Sequence, residues 1–586
     1  GIISDGDTAA ILTKAGAGSL TLSGTNTYTG TTTISAGSII IGADAGLGAA
    51  PGSAAAGHFV FASGGSGTLN TTASFTLHVN RGIALTGNGI INTNASRTLT
   101  YAGVIAGSGT ITKAGAGTLT LSGTNTHTGS NIISAGTLSV AGDRAFGAVP
   151  GSTDADNIIF SSGGSGIINA SVDFTLNTKR GITLTGNGII DVNTSRTLTY
   201  AGIITGDGKL TKSSAGTFTI SGANNFEGGT LINAGSLTLG ASGVLYDYGE
   251  VEFANVNGAI FNLADYNEQI GALKGGGSSG GNVILGSGTL TTSPMTNSGW
   301  ALTATTYAGI ISGSGAVVKQ GHGSLTLTGQ STYTGGTTIK EGHLIIGVNN
   351  ALRSTGAVSF TGSVRGVVLN IKNTFSQTIG NLSGSNTNSA IQIIGDLTVT
   401  QGNAGTFAGV IFGTGDFTKA GSASLTLSGA SNFGGTTAID AGTLALGANM
   451  NFYKSFTMAD TSGAILDLAD YNLTIRNLSG GGSSGGNITL GSGTLTINQS
   501  GLHGTYAGII SETGDVVKDG GWSLTLTGQS TYSGGTTIKA GYLFVGVNNA
   551  LRSTGAVSFT GSSNAFLGIK NTFSQTIGNL SGSNTN

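Results

Sequence analysis

The sequence predicts an all-β protein whose fold is a right-handed parallel β-helix, or β-solenoid, in the form of an elongated rod. Three observations predict it. The composition is rich in glycine and poor in charge, one motif recurs six times along the chain, and apolar residues in that motif alternate with polar ones.

The composition restricts the class of protein. Of 586 residues, 107 are glycine and only 3 are proline, and charged residues make up 8% against about 25% in typical globular domains. With 38% hydrophobic residues and a formal net charge of -2, the chain can bury a core, whereas disordered chains combine low hydrophobicity with high net charge. No basic stripe is present to neutralise phosphates, so nucleic acid is not expected as a partner.

The chain has no cysteine, which excludes disulfides, thiolate metal sites and a cysteine nucleophile. No apolar run approaches the 18 or so residues that a membrane-spanning helix needs. Residues 1–10 do not resemble a signal peptide, and we therefore expect any targeting segment to lie outside this chain.

The motif begins at a lysine, and successive copies lie roughly 100 residues apart, which indicates a repeat-built chain. The six lysines are Lys14, Lys113, Lys212, Lys319, Lys419 and Lys518. Glycines recur at positions +10, +16 and +23 from each lysine. The structural positions at +10 are Gly24, Gly123, Gly222, Gly329, Gly429 and Gly528. We expect these glycines to form tight corners with positive φ.

Between the lysine and the +10 glycine, apolar residues alternate with Thr or Ser, which predicts a strand with one buried face. The first inward position is Leu20, Leu119, Leu325, Leu425 and Leu524 in five copies and Phe218 in the other. A similar apolar pair returns at an offset of +19, as Ile39 and Ile41 follow Leu20 and Leu22, and we interpret this offset as one solenoid coil. About five coils of ~4.8 Å would then fill one repeat, which gives about 29 coils in one continuous solenoid over residues 1–586.

A longer period joins pairs of repeats. The segment Leu263–Asn267 returns as Leu468–Asn472, and Gly347–Ser363 returns unchanged as Gly546–Ser562. Two repeats thus form a unit of about 200 residues, which indicates growth by duplication. Because both ends fall inside the pattern, we expect the chain to be cut from a larger polypeptide.

The block from Thr112 to Gly129, Thr-Lys-Ala-Gly-Ala-Gly-Thr-Leu-Thr-Leu-Ser-Gly-Thr-Asn-Thr-His-Thr-Gly, followed by Ala135-Gly-Thr-Leu, closely resembles the autotransporter-associated β-strand repeat. The resemblance implies a passenger region of type V secretion, displayed outside the bacterial cell. It also implies a signal peptide upstream and an outer-membrane β-barrel translocator downstream, neither of which lies in this chain. Repeats of this family are thought to assist passenger folding and transport or to form a stalk, often in adhesins.

We find no catalytic, cofactor-binding or metal-binding set of residues. Asp467 and Asp470 are interpreted as turn residues, and Glu250 with Glu252 as a solvated strand face. His127 occupies a column otherwise held by Tyr or Phe, and is interpreted as part of an aromatic stack. The aromatics at position -12 from the lysines are expected to pack in the core. They are Tyr101, Tyr200, Tyr307, Phe407 and Tyr506.

The motif lysines could bind an acidic glycan, but their spacing prevents convergence on one small ligand, and solvated gatekeepers against edge aggregation are the favoured interpretation. The glycine-rich segments 275–281 and 480–486 are interpreted as flexible surface loops, since no Lys-Ser/Thr follows to make a phosphate-binding loop.

The predicted function is a non-catalytic, surface-exposed stalk or adhesin passenger on the bacterial cell surface, anchored through a β-barrel outside this chain. Its partners would be host-cell, bacterial or glycan surfaces, and repetition favours avidity over one tight site. Two alternatives stay open. One is a subunit of an extracellular fibre assembled by end-to-end stacking, which electron microscopy would distinguish. The other is a polysaccharide-active β-helix enzyme, which cleavage of a glycan panel would reveal.

Overall fold

The computed structural model describes residues 1–62, 64–164, 166–294, 303–362, 366–561, 564–570 and 572–582. In these residues the paired strands of successive coils run parallel, and about 25 turns stack as a β-solenoid. Two short 3-10 helices, Asp44–Leu47 and Asp143–Phe146, are the helical segments in this part of the chain. The predicted parallel solenoid is therefore confirmed.

The chain divides into two compact units. The first contains Gly1–Gly299 with Ala308–Ile310, and the second contains Trp300–Tyr307 with Ile311–Asn586. The expectation of one continuous solenoid over residues 1–586 stays a prediction.

The strands of the first unit fall into stacked parallel sheets, with each coil contributing one short strand per face. One sheet contains Leu12–Lys14, Thr32–Ile34, Ala55–Phe61, Arg81–Leu85 and Ile105–Gly107. A second contains Ser19–Leu22, Ser38–Ile41, Gly67–Thr71, Gly89–Thr93, Ile111–Ala114, Asn131–Ile133, Asp154–Phe160, Arg180–Leu184 and Ile204–Gly206. A third contains Phe75–Leu77, Thr98–Tyr101, Thr118–Leu121, Gly136–Val140, Gly166–Ala170, Gly188–Val192, Leu210–Ser213, Thr230–Ile232, Val251–Phe253 and Leu273–Gly275. The remaining strands are Phe174–Leu176, Thr197–Tyr200, Thr217–Ile220, Ser236–Leu239, Ile260–Asn262 and Asn282–Ile284, and the pair Glu268–Ile270 and Leu290–Thr292.

The second unit is built in the same way. One face contains Ala304–Tyr307, Ser324–Leu327, His343–Ile346, Val367–Ile371, Ser389–Ile393, Val410–Gly413 and Asn432–Phe433. Another contains Val317–Lys319, Thr337–Ile339, Val358–Phe360, Leu382–Gly384, Gly405–Phe407, Leu425–Leu427, Thr443–Leu446, Ile465–Asp467, Asn487–Thr489 and Ile510–Ser511. A third contains Gln377–Ile379, Leu397–Thr400, Phe417–Ala420, Thr437–Ile439, Met450–Met458, Leu473–Gly480, Leu495–Asn498, Val516–Asp519, Thr536–Ile538, Val557–Phe559 and Leu580–Gly582. Four further strands pair with this sheet outside its main order: Gly504–Tyr506, Ser523–Leu526, Gly541–Val545 and Ala565–Ile569. The remaining strand of the second unit is Ile311–Ser312.

The coils do not have the constant length that the sequence predicts. Thr120 pairs with Ser139 at the predicted spacing. Ser139, however, pairs with Asn169, 30 residues further on, and Asn169 pairs with Asp191, 22 residues further on. The prediction of five coils per repeat and about 29 in total is therefore wrong, because inserted segments such as the 3-10 turn at Asp143–Phe146 lengthen some coils.

Because the coils differ in length, the motif lysines of successive repeats lie in different sheets. In the first unit, Lys14 pairs with Ile34 in one sheet. Lys113 lies between Ile91 and Ile133 in the second sheet, and Lys212 lies in the third. The lysines thus do not form one column on one face of the solenoid.

The core is a stack of inward Leu, Ile, Val and aromatic side chains. Leu119, Leu325, Leu425 and Leu524 are buried, whereas Leu20 in the first copy is half-buried. The intervening Thr and Ser residues point outward, as in Thr118–Leu121, where burial alternates along the strand. Removing this apolar surface from water stabilises the fold by roughly 25 cal/mol per Å².

Candidate functional site

The motif lysine is the best-defined polar site of the repeat. In every copy its Nζ donates hydrogen bonds to three main-chain carbonyl oxygens, those of the residues at +1, +2 and +22. The distances run from 2.6 to 3.1 Å. Three acceptors saturate the three N–H donors of an ammonium group. We call this arrangement the lysine clamp, since it ties the turn after one strand to the turn one coil further on.

The motif lysines are buried, so the prediction that they are solvated gatekeepers is wrong. Lys14 is 8% exposed and the other five are 2% exposed or less. Burial lowers the pKa of Lys113 to about 8 and that of Lys319 to about 7. The sequence interpretation failed because a lysine is almost never buried without a paired acid, and here main-chain carbonyls provide the acceptors.

Backbone conformation presents these carbonyls to Nζ. The residue at +2 has φ between 57° and 76° in all six copies, and the glycine at +23 has φ between 63° and 70°. A Cβ at Gly37, the +23 glycine of the first copy, would also collide with two carbonyl oxygens and lie 2.7 Å from the Nζ of Lys14. Glycine is therefore needed at +23 both for conformation and for space.

The +10 and +16 glycines serve a different purpose from the one predicted, because none of them has positive φ. A Cβ on Gly123 would collide with the carbonyl oxygen of Gly103 in the preceding coil, and one on Gly528 with that of Gly508. Gly24, Gly222 and Gly429 are crowded in the same way, and Gly329 holds this position in the fourth copy. These glycines allow close approach of two backbones rather than a left-handed corner.

The motif also carries a buried polar bridge at +12. The Asn125 side chain accepts a hydrogen bond from the Ile105 N–H at 2.9 Å and donates one to the Ala145 carbonyl at 2.7 Å. It therefore joins the coils on either side, 20 residues away in each direction. In the later copies a serine hydroxyl accepts the first of these bonds, as Ser431 does from the Ile411 N–H.

Both predicted aromatic columns are buried. His127 is fully buried, its Nε2 lies 3.1 Å from Asn131 Oδ1, and burial lowers its pKa. The five aromatics at -12 are also buried, and the Tyr101 hydroxyl donates to the Arg81 carbonyl at 2.6 Å. The sequence interpretation of these residues as packing elements agrees with their positions.

Sequence reasoning missed two buried arginines in the first unit. Arg81 binds Asp44 through Nε at 2.9 Å and also donates to the carbonyls of the adjoining 3-10 turn. Arg180 repeats this with Asp143. The sequence did contain a signal for this ion pair, because the aspartate and the arginine recur together one repeat later.

The candidate carboxylates form no acid–base pair. Glu250 and Glu252 bind Lys209 and Lys274 in a half-exposed ion-pair network, with the shortest distances 2.9 and 3.0 Å, so they are not a freely solvated face. Opposite charge and hydrogen bonds from Lys209 hold the pKa of Glu252 below its usual value despite the opposing effect of burial. Asp470 lies in a turn with φ of 75° and accepts a hydrogen bond from the Ser492 N–H.

The glycine-rich segments form hydrogen-bonded turns, and their flexibility stays a prediction. In the segment 480–486, the Gly482 N–H donates to the Gly485 carbonyl at 2.9 Å and Asp460 accepts from the Ser484 N–H at 2.7 Å. Among the described residues, no cluster of three or more His, Asp or Glu side chains could hold a metal ion. Within that same part of the chain, helices long and apolar enough to cross a bilayer are absent.

Stacked parallel coils built on a motif that recurs six times define a repeat-built β-solenoid. The model of the passenger-associated-transport-repeat family matches residues 12–41, 111–140, 210–239, 317–346, 417–446 and 516–543. Each match begins two residues before a motif lysine and ends past the +23 glycine. The matched segments therefore contain the lysine clamp.

The chain is also similar to the adhesin BmaC autotransporter of Brucella suis biovar 1 (strain 1330). The two are 36% identical over 591 residues, covering 96% of this chain and 16% of that protein. No solved structure matches the chain significantly. The six matches and this identity support an autotransporter passenger that carries these repeats, and imply a surface-exposed, secreted region.

Proposed function

We propose that the chain is a non-catalytic structural stalk that also contributes adhesive contacts at the bacterial surface. The repeated lysine clamp is the observation that carries the structural part of the proposal. In all six copies the lysine Nζ donates hydrogen bonds to main-chain carbonyl oxygens of two coils and does not point into a pocket. The repeated polar residues thus hold the stack together and do not form a reaction centre.

The adhesive part is supported by the similar Brucella protein, which is named as an adhesin. Repeated outward Thr and Ser residues present the same polar surface many times, which favours binding through many weak contacts. Anchoring in the outer membrane by a β-barrel belongs to the same proposal, as do partners on host cells, other bacteria or glycans.

Surface display tests the adhesive role. The full chain is fused to an outer-membrane barrel in a non-adherent bacterium, and attachment to cultured cells, to other bacteria and to plastic is counted. We expect more attached bacteria than with the barrel alone. Equal attachment, with surface labelling showing that the chain is displayed, would contradict an adhesive role.

Absence of catalysis is tested separately. The purified chain is incubated with neutral and acidic polysaccharides and the products are analysed by mass spectrometry. We expect no bond cleavage, because Glu250 and Glu252, the candidate carboxylate pair, are held in ion pairs with Lys209 and Lys274. Release of oligosaccharides by the chain would overturn the proposal.

A further inference from the structure

A cleft of about 530 Å³ opens on the surface of the second unit. It lies where the strands Met450–Met458 and Leu473–Gly480 share a bulge. The bulge places Tyr453 and Lys454 opposite the single residue Arg476 between the pairs Phe452–Ile475 and Ser455–Asn477. Bulges redirect side chains and are common beside functional sites. The lining consists of Asn451, Phe452, Tyr453, Thr474, Ile475, Arg476, Asn498 and Ser500.

The cleft presents positive charge and hydrogen-bonding groups to solvent. Arg476 donates from Nε to the Ser500 hydroxyl at 2.7 Å, and its two terminal nitrogens have no partner among the described residues. The guanidinium is thus held in place with donors free for a planar anion. Tyr453 is 57% exposed, and Lys454 beside it is also exposed. None of the lining residues is acidic.

Exposed aromatic side chains follow Ser500 further along the sequence of the same unit. Three residues after Ser500, the His503 ring lies 4.8 Å from the Trp522 ring and its Nδ1 lies 2.6 Å from the Ser523 hydroxyl. Ser523 pairs with Tyr542, which pairs with Phe566. We call Trp522, Tyr542 and Phe566 the aromatic row.

Tyr542 and Phe566 lie side by side on adjacent coils. The Tyr542 and Phe566 rings stack with centroids 4.9 Å apart and planes 9° apart. The Lys570 Nζ lies 4.9 Å from the Phe544 ring beside them. Grouped exposed apolar side chains often mark a binding surface.

The residues of this surface are not shared by the related segments of the chain, which have the same repeat. In the related segment of the first unit, Tyr248 corresponds to Tyr453, but Gly249 and Gly271 correspond to Lys454 and Arg476. The aromatic row has its own counterparts one long period earlier. Trp522, Tyr542 and Phe566 correspond there to Gly323, His343 and Val368. The coil geometry therefore does not require these side chains.

We propose that the surface from Tyr453 to Phe566 binds an acidic polysaccharide. Arg476 and Lys454 pair with its carboxylate or sulfate groups, while the amides of Asn451 and Asn498 bind hydroxyls. The exposed faces and edges of Trp522, Tyr542 and Phe566 contact the apolar faces of sugar rings. An open cleft lined by amide, hydroxyl and guanidinium groups fits a sugar better than an apolar peptide side chain, which needs a deeper pocket. The inference rests on the proposed adhesive function and assigns it a ligand class.

Calorimetry with the purified full chain and an oligogalacturonate tests the proposal. We expect Arg476→Gln and Trp522→Gly each to weaken binding about tenfold or more, which corresponds to about 1.4 kcal/mol. Tyr542→His, which installs the residue of the related repeat, should weaken it in the same direction. The control Lys340→Gln removes an exposed lysine of the same unit outside this surface and should leave binding unchanged.

Three results would overturn the proposal: no binding by the parent chain, equal binding of a neutral glucan or of polyglutamate, or equal weakening by Lys340→Gln. All substituted side chains are exposed, and circular dichroism of each variant verifies that it folds. If displayed bacteria still attach while the purified chain does not bind the oligogalacturonate, only this ligand assignment fails and the adhesive function stands.

Discussion

Each motif lysine is stabilised by main-chain carbonyl oxygens instead of an acidic side chain. A carboxylate partner would add a second buried charge with its own desolvation cost. Carbonyl groups at the turns already need donors, because a buried acceptor without a partner costs about 1–3 kcal/mol. The lysine therefore satisfies three acceptors with one side chain, and does so in the same way in each copy.

Replacing a clamp lysine by an apolar side chain should destabilise its coil. For Lys419→Met we expect a loss of about 1–3 kcal/mol, because the carbonyls of Ala420, Gly421 and Ala441 lose their donor. Hydrogen exchange of the surrounding amides measures the loss. Lys340→Met, at an exposed lysine of the same unit, should have no such effect, and equal protection in both variants would contradict the role of the clamp.

The +10 glycines give a second prediction for single residues. Gly123→Ala should destabilise its coil by about 1–3 kcal/mol through overpacking, because the added methyl group collides with the Gly103 carbonyl. Gly52→Ala is the control, since a Cβ there has no neighbour within 4 Å and Gly52 lacks positive φ. Gly52→Ala should therefore leave amide exchange unchanged. Unchanged exchange in Gly123→Ala as well would show that the coils separate easily at this position.

At the scale of the strand and coil, the sequence predicts most of the secondary structure. Period-two alternation in segments such as Thr118–Leu121 identifies strands. The burial of Lys113 could not be predicted, because one of its acceptors is the Ala135 carbonyl, 22 residues away. Coil length could not be predicted either, because it depends on insertions such as Asp44–Leu47, which recurs at Asp143–Phe146 but in no later repeat of the described residues.

A buried carboxyl makes one coil of the first unit sensitive to pH. Burial raises the pKa of Glu268 to about 7, although it accepts hydrogen bonds from the Val244 and Leu245 N–H groups. Since the folded pKa is above the unfolded value, its stabilising contribution is complete below pH of about 4.5 and is lost as pH rises through about 7. Local stability around Val244 should therefore fall between these values.

Hydrogen exchange of the amides near Val244, compared between the parent chain and Glu268→Gln at each pH, measures this slope. Glutamine does not titrate, so the variant should show no corresponding change between pH 4.5 and 7. Subtracting the two removes the intrinsic pH dependence of exchange. The same slope in both chains would assign the effect to another group.

At the scale of the whole chain, the stability of each unit is the sum of the intrinsic stabilities of its coils and of the contact energies between neighbouring coils. The Arg180–Asp143 pair shows how far such a contact extends, since it joins residues 37 positions apart in sequence. Damage to one coil should accordingly remain local. This property suits a passenger whose function depends on many similar segments rather than on one centre.

Arg180→Met tests this locality. It leaves Asp143 unpaired and removes the donors to the Phe146 and Gly147 carbonyls, so we expect a local loss of about 3 kcal/mol. Exchange should increase at Asp143–Phe146 but not at Ser19–Leu22, which lies seven strands away in the same sheet as Arg180. Lys179→Met, at the exposed neighbouring residue, is the control. An equal increase at Ser19–Leu22 would mean that the unit unfolds as one cooperative body, because only long-range coupling could carry the loss across seven strands.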